Sequence, residues 1–308
     1  MAEQDTETIL LTGATGFIGC RLLEPLLKQG VRVRAVSRRP ARSTGLKPQE
    51  GLEILQADVG VVADLARALE GVDRAYYMVH SMEGGPEAAD AFVDKDRAAA
   101  LEFSKAAKDA GVKQIIYLSG LEPPHFVSKH LQSRNDVEGY LGRHGVPVTT
   151  LRAGFIIGPK SAGFQMLGGL IGNLTVMMVP AFMHNKTQPA WVDDVVDALI
   201  FCAENPELTA GRTFDLGSEE VIEYFDLVRE YCVASGRTME FIEVPWAPSD
   251  LAAAYTSVVS GLPYALVSAL SHGLQVDLLV QNERLYELAP QLGRAEPMEA
   301  MRRAFREL

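Results

Sequence analysis

The chain is short of cysteine and of positive charge. Three cysteines lie far apart in sequence, which is too few and too scattered for a disulfide framework or a zinc site. A formal net charge of -11 at pH 7 argues against nucleic acid or an anionic membrane as the main partner. We interpret Cys20, Cys202 and Cys232 as buried, inert thiols in helices rather than nucleophiles, and we predict no metal site.

Targeting sequences and long apolar runs are also lacking. The first eight residues are polar and acidic and carry no secretory signal. The most apolar stretch, 258–280, is interrupted by glycine, proline, histidine and aspartate, so it is too broken to span a bilayer. With 47% hydrophobic and 22% charged residues, the composition is that of a globular protein. We therefore expect a cytoplasmic protein with no membrane span.

Glycine is concentrated in a turn near the N-terminus. The apolar run 9–11 predicts a buried strand, and Gly13, Gly16 and Gly19 follow it before an apolar-periodic helix that ends at Gly30. Strand, glycine turn and helix are typical of the first unit of a dinucleotide-binding fold. Gly13 permits the tight turn, Gly16 lets a pyrophosphate approach the backbone, and Gly19 lets the helix pack on the strand. An ordinary glycine-rich turn is the alternative. The candidate cofactor contacts are Gly13, Thr15, Gly16, Phe17, Ile18 and Gly19.

The pattern after this turn alternates between strands and helices. Segments of this length between strands indicate a parallel sheet with both faces covered, and right-handed crossovers make it a doubly wound Rossmann fold. We predict further strands over 31–36, 52–59, 75–79, 114–118 and 148–157, and helices over 62–69, 87–110 and 128–143.

Beyond residue 159 the pattern loosens. An apolar, glycine-rich segment is followed by predicted helices and by a seventh strand, and no flexible linker appears. We predict α/β architecture with a Rossmann domain over 1–160 and a smaller, mainly helical substrate lobe over 161–308, interleaved with the last Rossmann elements at about 185–217. The later elements are expected at 191–203, 213–216, 219–234 and 239–244.

The end of the second strand indicates which cofactor binds. NAD-binding proteins place an acid there for the ribose 2′-hydroxyl, whereas this chain has Ser37, Arg38 and Arg39. A guanidinium can bind a 2′-phosphate with two parallel hydrogen bonds, so the sequence favours NADP(H). A solvated basic turn is the alternative.

Other polar residues follow strands whose carboxyl ends meet at the same edge of the sheet. Ser119 ends the fifth strand and should lie near the nicotinamide, because open α/β sheets bind ligands at this edge. For His80 and Ser81, a cofactor-binding and a structural role stay equally open. The further candidate cofactor contacts at these strand ends are Asp58, Val59 and Val79.

Several motifs together resemble the extended and atypical branches of the short-chain dehydrogenase/reductase superfamily. These motifs are TGATGFIG, YYMVHSM, IIYLSGL, HLQSR and LRAGFIIGP. Within the superfamily the chain is similar to NmrA-like proteins and to the dinucleotide-binding accessory subunit of mitochondrial complex I, over residues 8–235. The resemblance implies that Asp58 faces the adenine, although it could instead cap the helix 62–69, and that Ser119 orients a substrate carbonyl. The group contains reductases, redox sensors and inactive scaffolds.

The helix 128–143 departs from the catalytic motif of that superfamily. Where the resemblance implies Tyr-x-x-x-Lys, this chain has His130 and Arg134, followed by Glu138. The i, i+4 spacing still places the first two on one helix face. We interpret His130 as the proton donor and Arg134 as the cofactor-ribose contact. His125 is the other candidate acid, and a structural hydrogen bond is the alternative role of His130.

The expected lobe is rich in methionine and aromatic residues, which pack cores and also suit a pliable apolar site. We therefore predict an NADPH-dependent oxidoreductase acting on an apolar carbonyl or an activated double bond. A non-catalytic NADP(H)-binding sensor or scaffold is the rival, and a cofactor-retaining epimerase or lyase is a third hypothesis. The helix 87–110 could form a homodimer face, although burial against the sheet explains its pattern equally well. The lobe candidates are Phe164, Met166, Leu167, Leu170, Met177, Met178, Phe182, Met183, Trp246, Tyr255 and Tyr264.

Overall fold

A computed structural model of the chain describes residues 6–79, 89–123, 125 and 129–308. The strands are β1 (Thr8–Thr12), β2 (Arg32–Ser37), β3 (Leu52–Gln56), β4 (Arg74–Tyr77), β5 (Gln114–Gly120), β6 (Val148–Ala153), β7 (Ile156–Ile157), β8 (Val176–Val179), β9 (Lys186–Thr187), β10 (Ala190–Trp191), β11 (Thr213–Leu216), β12 (Ile222–Glu223) and β13 (Glu240–Glu243). The α-helices are α1 (Gly19–Lys28), α2 (Val62–Leu69), α3 (Ala89–Asp109), α4 (Lys129–Leu141), α5 (Ala162–Asn173), α6 (Val192–Glu204), α7 (Pro206–Thr209), α8 (Tyr224–Ser235), α9 (Ser249–Ser260), α10 (Tyr264–Gly273), α11 (Arg284–Leu288) and α12 (Pro297–Arg306).

Seven strands form one parallel sheet in the order β11-β6-β5-β4-β1-β2-β3. Ile9 on β1 lies opposite Val33 on β2 and opposite Arg74 on β4. The chain builds outward from β1 in one direction through β2 and β3, and in the other through β4, β5 and β6. The crevice between β1 and β4 is therefore a topological switch point, where such sheets bind ligands. The predicted doubly wound parallel sheet is confirmed.

Helices cover both faces of this sheet because its strands are apolar on both sides. On one face α1 and α6 bury Leu26 and Leu199 against it. On the other face α2, α3 and α4 bury Phe103 and Leu141. The stripes of apolar residues in these helices explain why they pack in this orientation.

The lobe is built from three two-stranded sheets together with helices. The pairs are β7–β10, β9–β12 and β8–β13. Helices α5, α8 and α12 meet around the rings of Phe164, Tyr231 and Phe305, whose centroids lie 4.8 to 5.5 Å apart. These short strands make the lobe less helical than the sequence suggests, and the exact domain boundaries stay a prediction.

Three predicted elements are wrong in their extent. The strand expected over 52–59 ends at Gln56. The strand expected over 148–157 ends at Ala153, and Ile156–Ile157 leaves the large sheet to pair with β10. The helix expected over 219–234 begins only at Tyr224, because Ile222–Glu223 pairs with β9. Asp226 accepts from the backbone of Glu223 in a capping box that fixes this start.

The three cysteines do not share one environment. Cys202 and Cys232 are buried as expected, and burial raises the pKa of the Cys202 thiol to about 12. Cys20 is exposed, so its predicted burial is wrong. Within the described residues no helix combines the length and apolarity needed to cross a membrane.

Candidate functional site

The backbone of the glycine turn is closely packed. Gly13 has a φ of 66°, which side-chain-bearing residues rarely adopt. A Cβ at Gly13 would lie 2.6 Å from the carbonyl oxygen of Met78, directly after β4. A Cβ at Gly19 would lie 2.2 Å from the carbonyl oxygen of Gly13, so the start of α1 touches the end of β1. The roles predicted for Gly13 and Gly19 in the turn and in helix packing agree with this geometry.

The first turn of α1 is suited to bind an anion. Its N-cap residue, Ile18, provides no side-chain cap, and its first turn contains no acidic residue. The partial positive charge of the helix terminus is therefore not neutralised locally. Gly16 is exposed and its N–H donates to the carbonyl oxygen of Gly13 at 2.8 Å, which bends the backbone into the crevice. This cradle, which has no room for side chains at Gly13 and Gly19, fits the diphosphate of a dinucleotide.

Thr12 holds the two strands of the switch point together, a role that the sequence interpretation missed. Its hydroxyl donates to the carbonyl oxygen of Tyr76 at 3.0 Å and accepts from the N–H of Met78 at 2.8 Å. Both contacts fix the end of β4 beside the glycine turn. A hydroxyl residue directly before the first glycine was the available signal.

Phe17 connects the glycine turn to the segment that leads into the lobe. A Cβ at Gly158 would lie 2.8 Å from Cζ of Phe17 and 2.8 Å from Cγ1 of Val192. The guanidinium of Arg21 stands 5.8 Å from the centroid of the Phe17 ring and pairs with Asp193 at 2.8 Å. The turn, α1 and α6 are therefore packed against the chain just after β7.

The end of β2 carries two exposed arginines. Ser37 is buried, and its hydroxyl accepts from the N–H of Arg39 at 3.1 Å, which forms a tight turn. Gln56 on β3 donates to the carbonyl oxygen of Arg38 at 3.3 Å. These contacts place Arg38 and Arg39 at the carboxyl edge of the sheet beside the glycine turn.

Asp58 shapes the loop after β3. Its carboxylate accepts from the N–H of Gly60 at 2.9 Å, while its own N–H donates to Asp64 of α2. The alternative role as a cap of α2 is wrong, because the N-cap residue is Val61 and no side chain caps it. An adenine contact by Asp58 stays a prediction.

Of the remaining strand-end candidates, only the two valines belong to the described residues. Val59 is buried in the core under α2 and α3, and Val79 packs against the same core. The side chain of Val59 is therefore part of the core, whereas that of Val79 is only partly buried. His80 and Ser81 lie outside the described residues.

The end of β5 contacts the middle of α4. Oγ of Ser119 lies 3.1 Å from the carbonyl oxygen of Arg134 and 3.1 Å from Oδ1 of Asn135. The phenol of Tyr117 donates to the same carbonyl at 2.9 Å, and Nη2 of Arg134 donates to the carbonyl of Leu118 at 3.4 Å. Burial raises the pKa of the Tyr117 phenol, and the Arg134 charge offsets part of that rise.

Helix α4 presents the expected inward face. Val137 and Leu141 are buried on it, and Arg134 is half-buried one turn earlier. His130 belongs to the first turn of the same helix, but its side chain lies outside the described residues. His125, the other candidate acid, is exposed. Asn135, which contacts Ser119, was missed by sequence reasoning because nothing in the motif marks it.

The lobe encloses an apolar cavity of about 170 Å³. All the lobe residues predicted as candidates line it except Phe164 and Tyr264, which belong to the neighbouring core. Phe155, Pro180, Val244, Leu251 and Leu274 also line it and were missed. Phe155, Pro180 and Val244 lie in loops, Leu251 in the first turn of α9 and Leu274 at the end of α10, so no single periodicity marks them.

The cavity adjoins the carboxyl edge of the large sheet. Phe155, which lines it, follows β6 and packs against Gly163, where a Cβ would lie 2.4 Å from its ring. Leu121, directly after β5, is buried with Val276 and Leu278 in a small cluster. One wall of the apolar cavity therefore lies just after β6, on the carboxyl side of the large sheet.

Comparison with known proteins shows which family the chain belongs to. A family described as NAD(P)H-binding matches residues 13–168, from the glycine turn through β6 into α5. The chain belongs to this NAD(P)H-binding family. The match begins at Gly13, the first glycine of the turn, and the binding of a dinucleotide by this turn stays a prediction.

Two reductases are similar to this chain in sequence, and one of them is also similar in structure. The chain is 27% identical over 255 residues to dihydroflavonol 4-reductase of Zea mays, covering 67% of this chain and 68% of the relative. It is 34% identical over 153 residues to quinone oxidoreductase 2 of Escherichia coli, covering 48% of each. The structure of the NADPH-dependent quinone oxidoreductase QOR2 of Escherichia coli complexed with NADPH superposes with a TM-score of 0.73 at 24% identity, over 96% of this chain and 99% of that chain.

These similarities confirm the predicted placement in the extended short-chain dehydrogenase/reductase group. They support an NAD(P)-dependent oxidoreductase-type enzyme without fixing its substrate. Across the described part of the chain, no group of three or more histidine, cysteine, aspartate or glutamate residues could hold a metal ion.

Proposed function

We propose that the protein is an NADPH-dependent oxidoreductase that reduces an apolar carbonyl compound or an activated carbon–carbon double bond. The observation that carries this proposal is the apolar cavity of the lobe, one wall of which follows β6 in a chain that belongs to an NAD(P)H-binding family. An apolar cavity beside a redox cofactor suits a substrate that is mostly hydrocarbon.

The preference for NADPH rests on the end of β2. Arg38 and Arg39 are exposed there, in the turn that Ser37 holds directly after β2. A carboxylate at this point would repel a 2′-phosphate, whereas guanidinium groups bind it. We therefore expect NADPH to bind more tightly than NADH.

The chain's own residues supply binding and proton transfer. A bound nicotinamide cofactor supplies the hydride, which adds to the carbonyl carbon or to the β-carbon of an enone. His130, or His125 in its place, gives a proton to the carbonyl oxygen or to the α-carbon, so that the product is an alcohol or a saturated ketone. Arg134, fixed at the end of β5 through Leu118, holds the cofactor ribose. Ser119 positions α4 through the carbonyl of Arg134, and its contact with a substrate carbonyl stays a prediction.

The first experiment compares cofactor binding with turnover. NADPH and NADH binding are measured by calorimetry, and NADPH oxidation is followed with a panel of quinones, enones and aldehydes. His130→Ala should lower kcat by at least about 100-fold, since a positioned general acid contributes that much. Arg134→Ala should instead weaken NADPH binding. His144→Ala and Arg143→Ala, at the exposed end after α4, are the matched controls and should leave both quantities unchanged.

A non-catalytic NADP(H)-binding sensor or scaffold is the second candidate. The burial of Ser119 favours it, because a hydroxyl that is 1% exposed and bonded to α4 is not directed at a substrate. Tight NADPH binding without turnover of any tested compound would support this candidate and contradict the first. Different affinities for NADPH and NADP+ would then identify a redox sensor.

A further inference from the structure

The cavity in the lobe contains no charge. Among the described residues that line it, none is lysine, arginine, histidine, aspartate or glutamate. Its few polar groups offer little to an ionic ligand: Tyr224 is buried with its phenol directed at Thr187, and Ser271 is 5% exposed. The other polar groups of the lining belong to Trp246, Tyr255 and Thr256 and are uncharged, so a charged group entering this cavity would lose its hydration without gaining an oppositely charged partner.

The cavity opens through an apolar rim. Met178, Trp246 and Leu251 line the cavity, yet they are 46%, 77% and 60% exposed. The same side chains therefore face both the interior and the solvent, and they mark the entrance. An exposed tryptophan beside a cavity is a large apolar surface that a bound molecule would cover.

Three carboxylate residues adjoin the cavity lining in the sequence. Glu223, Glu243 and Asp250 each directly precede a residue that lines the cavity. His184 lies between two of them, 2.7 Å from Glu223 and 3.3 Å from Glu243, and these hydrogen bonds raise its pKa. His272 stands 3.5 Å from Asp250.

Basic residues are missing from the segment that forms much of the rim. Between Arg237 and Arg284 the sequence contains no lysine or arginine. An anionic group at the entrance would meet these carboxylates, and the two histidines beside them, His184 and His272, are already paired with the carboxylates. The carboxylates at the rim repel an anion electrostatically, and the uncharged cavity offers it no counter-charge.

From the uncharged lining and the acidic rim we infer that the substrate cavity takes uncharged, hydrocarbon-rich molecules and excludes anionic ones such as carboxylates, sulfonates, phosphates and coenzyme A thioesters. This deepens the proposed function by naming the substrate class. It rests on that function only in calling the ligand a substrate, because binding itself needs no turnover. Selectivity here comes from repulsion as well as from apolar contact.

Two fluorescent probes that differ by one group test the inference. N-phenylnaphthylamine is neutral, and anilinonaphthalene sulfonate is the same molecule with an added sulfonate. Titrated into the full-length protein without cofactor, the neutral probe should bind at least about tenfold more tightly, because burial of an unpaired charge is costly. Binding should quench Trp246, whereas Trp191 is 2% exposed and serves as the internal reference. Equal binding, or tighter binding of the sulfonate, would overturn the inference.

A pair of variants on one helix places the probe in the cavity. Ala252→Leu adds a larger side chain to the cavity wall and should weaken binding of the neutral probe by about tenfold or more, since its space is filled. Ala254→Leu lies on the exposed face of the same helix and should change nothing. If both variants bind the neutral probe like the wild type, the probe lies elsewhere and the inference fails.

Reversal of a rim charge tests the exclusion of anions. Asp250→Lys should tighten binding of the sulfonate probe by several-fold and leave the neutral probe unchanged, which also shows that the lobe is folded. Glu24→Lys is the control, because Glu24 is similarly exposed and paired but lies on α1. An unchanged sulfonate affinity in Asp250→Lys would contradict the role of the rim. A failure of NADPH turnover would count against the proposed function alone, since none of these titrations uses the cofactor.

Discussion

The glycine turn and the lobe cavity are built in opposite ways. The turn consists of backbone from one short segment, packed so closely that Gly13 and Gly19 have no space for a Cβ. The cavity is formed by side chains from loops, strands and helices spread over residues 155–274. A ligand that is common to a whole family is held by backbone, which tolerates few substitutions. A ligand that differs between relatives is held by side chains, which can be exchanged at nearly constant volume.

The largest effect should follow from adding one methyl group to the turn. Gly13→Ala combines a strained φ of 66° with a clash against Met78, and we expect NADPH affinity to fall by about 100-fold or more. Gly30→Ala is the matched control, because Gly30 has a φ of 78° but nothing within 4 Å of an added Cβ. It should cost about 1 kcal/mol of stability and leave the affinity unchanged. Calorimetric titration of NADPH into both variants measures the two affinities. An equal loss of affinity in both variants would show that backbone strain, and not the clash with Met78, is responsible.

An intermediate effect is expected from the cavity wall. Leu167→Ala removes a side chain that is 4% exposed in the lobe core, and we expect about 2 to 5 kcal/mol of destabilisation in denaturant unfolding. NADPH affinity of the folded variant should stay within about twofold, because the turn is formed by separate backbone contacts. A tenfold loss of NADPH affinity would contradict the independence of the two regions.

The smallest effect concerns a carboxyl group on α8. Burial, with nearby Glu220 and Asp226, raises the pKa of Glu230 from 4.5 to about 7. Between pH 4.5 and about 7, the folded state therefore keeps the proton on Glu230 that the unfolded state has already released. This group's contribution to stability is full below pH 4.5 and is lost as the pH rises to about 7.

Glu230→Gln should consequently raise the Tm at pH 8 and change it less at pH 5, as thermal unfolding at both values would show. Glu240→Gln, at an exposed position of the lobe, is the control and should shift the Tm little at either pH. An equal shift of the Glu230→Gln Tm at both values would contradict the assignment of the titration to this carboxyl group.

Local sequence signals were sufficient for much of the fold. The predicted bounds of Val62–Leu69 and Thr213–Leu216 match the structure, because each segment has a clear apolar pattern with turns at both ends. The exposure of Cys20 could also have been predicted, since Glu24 lies four residues later on the same helix face and both are exposed.

Other features depend on partners distant in sequence. The apolar run 148–157 continues beyond the large sheet, and only its pairing with Ala190–Trp191 makes Ile156–Ile157 a separate strand. A two-residue strand such as Ile222–Glu223 has no period to detect. The cavity wall is likewise assembled by packing between distant segments, so the sequence indicated its composition but not its entrance or its acidic rim.

The contact between Phe17 and Gly158 has a consequence for how this chain can change over evolutionary time. A larger residue at position 158 would displace the Phe17 ring, and a smaller ring at position 17 would leave a gap beside Val192. The two positions should therefore vary together among relatives, large opposite small. An alignment in which they change independently would show that residue 17 or residue 158 can be replaced without a matching change at the other.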